Sequence, residues 1–197
     1  LKHIAGSLRT VDAALILDAT QSLGAMHLNI DEIQPDFVIA ACYKWLLGNS
    51  GIAIFYRDRK RLDELEPPIV GWHSRTNPLS LDQPDAWTGP VHAGRFEAAN
   101  VSYLSAYILE NALTYLNRFR VSQTESHSIR LTANVLAGFD RLGLQATTPK
   151  EPQHRAGNAT CVLPQKVEAG RLAKLLAEQG VLAWVGDGRL RVSCHLY

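Results

Sequence analysis

Apolar residues recur along this chain in two rhythms. In the first half they come as short, nearly continuous runs at residues 13–18 (AALILD), 37–42 (FVIAAC) and 52–56 (IAIFY). Each run is rich in aliphatic, β-branched or aromatic residues and is bounded by turn or polar residues. This predicts strands, and the weak alternation predicts burial on both faces of a sheet. Residues 22–34 are expected to form a crossover with a short helix. Gly48-Asn49-Ser50-Gly51 is the turn between the second and third strands. A short charged helix is expected over 57–65, stopped by Pro67-Pro68. Residues 69–94, rich in Pro, Gly, Trp and polar side chains, read as one long irregular segment, a kind usually tied to function.

The rhythm then lengthens. Helices are predicted at about 102–119 and 122–142, with Gly143 in the C-cap position. Residues 159–163 read as a strand and 166–179 as an amphipathic helix stopped by Gly180. Residues 181–185 and 190–194 read as strands around a Gly186-Asp187-Gly188 turn. The expected class is α/β. Part of a larger domain with a mostly parallel sheet, at residues 1–118, precedes most of a small α/β domain at 119–197. The first and last residues read as cuts within a longer protein.

Composition narrows the functions. Lys and Arg number 20 against 19 Asp and Glu, so no global field draws the chain to nucleic acid or to an acidic membrane. The basic run Arg57-Asp58-Arg59-Lys60-Arg61 is broken by Asp58. Three scattered cysteines, Cys42, Cys161 and Cys194, fit neither a disulfide framework nor a structural zinc site and suit a cytoplasmic setting. No apolar run reaches the roughly 18 residues of a membrane span. The histidines show no metal-ligand spacing, and neither a Walker loop nor a G-x-S-x-G elbow occurs.

The chemistry gathers at two strand ends. Asp18 closes the first apolar run, and Lys44 lies just beyond the second, within Cys42-Tyr43-Lys44-Trp45. Singly, such an Asp is commonly a turn former and such a Lys snorkels to solvent. If the two strands are parallel neighbours, both residues reach one sheet edge, where open α/β sheets bind ligands. An ionised acid and an amine there are the two groups that pyridoxal 5'-phosphate (PLP) needs.

Asp18-Ala19-Thr20-Gln21-Ser22-Leu23-Gly24 resembles the D-x-x-Q-x-x-G signature of the class V aminotransferase superfamily of fold-type-I PLP enzymes. Asp36-Phe37 and Tyr43-Lys44-Trp45-Leu46 follow in the order of that group. Downstream, Arg95-Phe96-Glu97 resembles its R-F-E element, and Arg191-Val192-Ser193-Cys194-His195-Leu196-Tyr197 its R-x-S-x-x-x-Y element. The superfamily includes kynureninases, cysteine desulfurases, selenocysteine lyases and isopenicillin-epimerase-like proteins. The sequence departs from many relatives after Arg95-Phe96-Glu97, where Ala98-Ala99-Asn100 replaces a Gly-Thr pair. Asn100, like Gly71-Trp72-His73, is closer to the kynureninases.

The resemblance implies Lys44 as the Schiff-base lysine, Asp18 as partner of the pyridine nitrogen, and Gln21 as partner of the 3'-oxygen. It further implies Tyr43 as a phosphate contact, Trp72 as a further cofactor contact, and Asn100 as a contact to the phosphate bound by a partner subunit. Arg191 would take the substrate α-carboxylate through its planar fork. The expected protein is a homodimer acting on an amino acid, by aminotransfer, side-chain lysis or epimerisation. A desulfurase using a mobile cysteine is not expected, because residues 184–188 (WVGDG) contain none. The alternative is a non-catalytic fragment or interaction module lacking the N-terminal half of the cofactor site.

Overall fold

The computed structural model describes residues 1–61, 65–79 and 88–197. The chain divides into two compact units, Leu1–Leu23 with Leu28–Arg118, and Gly24–His27 with Phe119–Tyr197.

In the first unit the three apolar runs form one sheet, ordered β1 (Ile16–Asp18), β2 (Phe37–Ala41) and β3 (Ala53–Arg57). β1 and β2 are parallel, pairing Ile16 with Phe37 and Asp18 with Ile39; β3 runs antiparallel to β2. One face is packed: Val38 and Ala40 are buried together with Ala19, and Leu17, Leu23, Leu28, Ile30 and Tyr56 close over them. On the other face Ile16, Ile39 and Phe55 are exposed, and among the described residues Phe96 covers part of it, against Phe55 and Arg57.

Helix α1 (Lys2–Arg9) precedes the sheet and was not anticipated. Leu1, Ile4, Ala5 and Leu8 recur at helical spacing, and Ala5 is its buried residue. The crossover holds the one-turn helix α2 (Ile30–Ile33), where the Asn29 side chain accepts from the N–H groups of Asp31 and Glu32. Helix α3 (Tyr103–Leu116) starts at Ser102, whose hydroxyl accepts from the Ser105 N–H. It packs Leu109 against Cys42 and Leu46.

The charged helix expected from Arg57 does not start there. Arg57 remains in β3, 6% exposed, with its guanidinium over the Phe96 ring at 5.6 Å. Burying that cation against an aromatic face extends the strand instead of opening a helix. Residues 59–61 form a turn, and 62–64 lie outside the described residues. So does part of the long irregular segment, at 80–87.

In the second unit α4 (Val121–Arg141) buries Ser128, Thr132, Leu136 and Phe139, one face at helical spacing. Gly143, at φ +66°, takes the left-handed position that ends it. Strands β4 (Asn158–Val162), β5 (Trp184–Gly186) and β6 (Arg189–Ser193) form an antiparallel sheet in the order β4-β6-β5. Ala159 and Cys161 pack with Leu136 and Phe139, supported by Leu190 and Val192. Helix α5 (Ala169–Glu178) is capped by the Glu168 carboxylate, which accepts from the N–H groups of Gly170 and Arg171.

Candidate active site

The parallel β1–β2 pair sends both chain directions out at one edge, and the backbone there is tightly tied. The Ala19 N–H donates to the Ile39 carbonyl at 2.7 Å, and the Ser22 and Leu23 N–H groups turn back onto the Ala19 carbonyl. The Thr20 hydroxyl accepts from the Ala41 N–H at 3.0 Å, joining the end of β1 to the end of β2. The Thr20 N–H donates to Asp18 Oδ1 at 2.9 Å.

Asp18 is exposed, yet its carboxyl is held below the ordinary Asp range. The hydroxyl and N–H of Thr20 are the main causes; slight desolvation opposes them, and the positive charge of Lys44 lowers it further. The charge of Lys44 is the smallest of these effects. The carboxylate is therefore ionised and open to a ligand.

Lys44 sits on a compact loop. The Gly48 N–H donates to the Cys42 carbonyl at 2.9 Å, and the Leu47 N–H to the Lys44 carbonyl at 3.1 Å. A Cβ on Gly48 would lie 3.0 Å from the Cys42 oxygen and 3.1 Å from its Cβ, so a side chain there would crowd the closure. Trp45 and Leu46 are buried at 4% and 5% exposure and anchor the loop, while Tyr43 projects outward at 52%. The Lys44 ammonium stands 5.7 Å from the Tyr43 ring centroid. Cys42 is fully buried, and desolvation pushes its thiol pKa up, which makes it a packing residue rather than a nucleophile. Gln21 lies exposed in the turn after Asp18.

Trp72 and Asn100 stand in other surroundings. Trp72 opens a 3-10 turn (Trp72–Ser74), half-exposed, with its ring edge-on to His73 at 4.6 Å. Gly71 lies directly against the Ala98 backbone with no room for a side chain, so residues 71–74 and 97–100 are brought together. Asn100 lines a cavity of about 560 Å³ with Gly51, Ile52, Phe55 and Phe96. Neither Asp18 nor Lys44 lines it. The Arg95-Phe96-Glu97 element is pinned from both sides: Phe96 packs 5.2 Å from Phe55, and Arg95 pairs with Glu66 at 2.7 Å.

In the second unit Arg191 occupies the middle of β6, exposed, opposite Thr160 on β4 and Trp184 on β5. Its guanidinium lies over the Trp184 ring at 5.4 Å. Among the described residues no carboxylate is paired with it. Cys194, three residues on, is partly buried, and desolvation raises its pKa. Among the described residues no group of three or more His, Cys, Asp or Glu side chains could hold a metal ion, and no helix is long and apolar enough to cross a membrane.

Two contributors escaped the sequence reading. Thr20 controls Asp18, and the D-x-T spacing of an Asx turn was the available signal. Trp184 covers Arg191, a pairing visible only once the hairpin register is known.

An α/β sheet with a carboxylate and an amine at the carboxyl edge of parallel strands is the architecture of fold-type-I PLP enzymes. An apo cysteine desulfurase from Thermococcus onnurineus NA1 superposes on the whole chain at TM-score 0.87 and 23% identity, over 51% of its own length. A mutant of C-DES with glycine covalently linked to the PLP cofactor superposes on 89% at TM-score 0.74 and 23% identity, over 46% of its own length. Residues 1–194 match the profile of the family Aminotransferase class-V, and the chain belongs to that family. A probable cysteine desulfurase of Pyrococcus abyssi (strain GE5 / Orsay) is 23% identical over 94% of this chain and 48% of its own. The uncharacterized aminotransferase YcbU of Bacillus subtilis (strain 168) is 26% identical over 100% and 50%. A kynureninase of Bacillus thuringiensis subsp. konkukian is 26% identical over 84% and 39%. The chain thus spans about half the length of these relatives.

Proposed function

We propose that the chain carries the lysine-bearing part of a PLP-dependent enzyme that acts on an amino acid. The observation that carries this reading is the exposed, ionised Asp18 beside Lys44 at the ends of parallel strands.

The residues fit the cofactor chemically. A carboxylate kept ionised by Thr20 and still open to solvent suits a protonated pyridine nitrogen, and the amine of Lys44 suits the cofactor's aldehyde carbon. Gln21 would meet the 3'-oxygen and Tyr43 the phosphate. Asn100 would meet the phosphate in the site of a partner subunit, a reading supported by its place in a cavity that neither Asp18 nor Lys44 lines, and Trp72 would be a further cofactor contact. When bound, the cofactor supplies an electron-withdrawing ring that stabilises negative charge at the substrate α-carbon. Asp18 would keep the proton at the ring nitrogen, and Lys44 Nζ would carry a proton to or from the substrate α-carbon. Arg191 takes the α-carboxylate and orients the scissile bond.

Residues 1–118 would belong to the large domain and 119–197 to the small one, in a homodimer with a shared site. Aminotransfer, side-chain lysis and epimerisation all need these same groups. Cysteine desulfuration by a loop thiolate is disfavoured, since Asp187 and Gly188, at φ +49° and +67°, close β5 onto β6 with a tight turn and no cysteine.

Absorbance of the full-length protein tests the assignment. A band near the visible edge that survives gel filtration is expected, and Lys44→Ala should abolish it. A Lys44→Ala protein that keeps the wild-type band and turnover would end this reading.

A further inference from the structure

We propose that Trp184 is a positioning residue for Arg191: its indole holds the guanidinium so that the donor fork is ready for a substrate carboxylate. The proposal rests on the carboxylate-binding reading of Arg191 and extends it to a residue that the family signature does not include.

The hairpin register puts the pair together. Trp184 and Arg191 are direct partners in the β5–β6 ladder, so their side chains leave the same face of the sheet. It is the open face, because Leu190 and Val192, the alternate residues of β6, pack into the core of the second unit. The Arg191 guanidinium lies 5.4 Å from the indole centroid, within the range of a cation–π contact. A parallel arrangement of the two planes would use the face of the cation. The N–H donors lie in the guanidinium plane and would then stay free for two parallel bonds to a carboxylate.

Gly186 sets where the indole can lie. A Cβ there would come within 2.9 Å of Trp184 Cζ2 and 3.3 Å of Cη2, so the ring rests across the Gly186 backbone, two residues along the same face. A side chain at 186 would displace it. Trp184 remains 43% exposed, which makes core packing a poor account of its presence. What the stack does supply is restriction. A free arginine on an open sheet face loses rotamer entropy on binding, whereas one resting on an indole over a glycine floor has lost much of it beforehand.

The test uses the full-length protein and calorimetric titration with L-alanine and with ethylamine, the same amine without its carboxylate. Trp184→Ala and Gly186→Ala should each weaken L-alanine binding by roughly three- to tenfold. Ethylamine binding should be unchanged in both, and Trp184→Phe should recover most of the loss. With an amino-acid substrate the change should fall on KM, with kcat moving less than about twofold. Unchanged L-alanine binding in both variants, or equal weakening of both ligands, would overturn the role of Trp184. Arg191→Lys separates the two levels. If wild type shows no preference for L-alanine over ethylamine, or Arg191→Lys keeps that preference, the carboxylate reading itself falls. If Arg191→Lys loses the preference and the Trp184 and Gly186 variants do not weaken L-alanine binding, only the stacking proposal falls.

Discussion

The two ends of the β1–β2 pair each present an aspartate, and the two are used in opposite ways. At the amino end Asp36 is 1% exposed; its carboxylate accepts from the Leu15 N–H at 2.6 Å and pairs with Arg61 at 2.9 Å. The Asp36 backbone is occupied as well, since its N–H donates to the Leu15 carbonyl and its carbonyl accepts from the Asp58 N–H at 2.8 Å. At the carboxyl end Asp18 is exposed, takes its local bonds from Thr20 alone, and has an amine rather than an arginine nearby. Residue type and host sheet are shared. What differs is whether the neighbouring groups bury and pair the carboxylate or only keep it charged. The buried one secures the sheet, and the exposed one is left with capacity for a ligand.

Substitutions at the two ends can break this contrast. The largest expected effect is functional: Asp18→Asn in the full-length protein should lower turnover about 10²- to 10³-fold. Its denaturation midpoint should nevertheless stay at the wild-type value. Unfolding of that variant under mild conditions would mean that Asp18 is structural after all. Asp36→Ala should do the reverse. Removing one member of the buried pair should cost about 2–4 kcal/mol in urea denaturation, the lower end reflecting the 31% exposure of Arg61. The protein that does fold should keep its cofactor absorbance. The smallest effect sharpens the contrast within one site. Thr20→Val removes the hydroxyl that stabilises the ionised carboxylate, so the Asp18 pKa should rise toward its ordinary value. Because the folded-state pKa of Asp18 is depressed, its contribution to stability and to cofactor retention is present above the unfolded pKa. That contribution is lost as pH falls through the folded value. In Thr20→Val the acid limb of cofactor retention should therefore begin at higher pH, which a pH series of absorbance spectra reads directly. An unmoved limb would remove Thr20 from the account.

The elements most legible in the sequence were those whose signal is local. The turn at Gly186-Asp187-Gly188, the stop at Gly143 and the helices on either side of residue 120 need only backbone preference and apolar period. Strand limits were less legible because they depend on partners far along the chain. β1 starts at Ile16 rather than at residue 13, and the Leu15 N–H just before it is given to the Asp36 carboxylate. β3 runs on to Arg57, which pairs with Phe37 and lies against Phe96. Neither contact leaves a trace in the neighbouring residues. The same holds for the site: Asp18 and Lys44 were visible as acid and amine at the ends of apolar runs, whereas the hold of Thr20 on both strands was not.

From residue order alone follow the kinds of group present and the local stiffness around them: a carboxylate ending one apolar run, an amine beyond the next, a glycine where the lysine loop closes. Tertiary structure decided which of these meet. It set β1 parallel to β2, which carried Asp18 and Lys44 to one edge, and it placed Trp184 opposite Arg191. Pairing register is a long-range choice, governed by which faces can be buried together, and a shift of one residue would turn each of these side chains to the opposite face of its sheet.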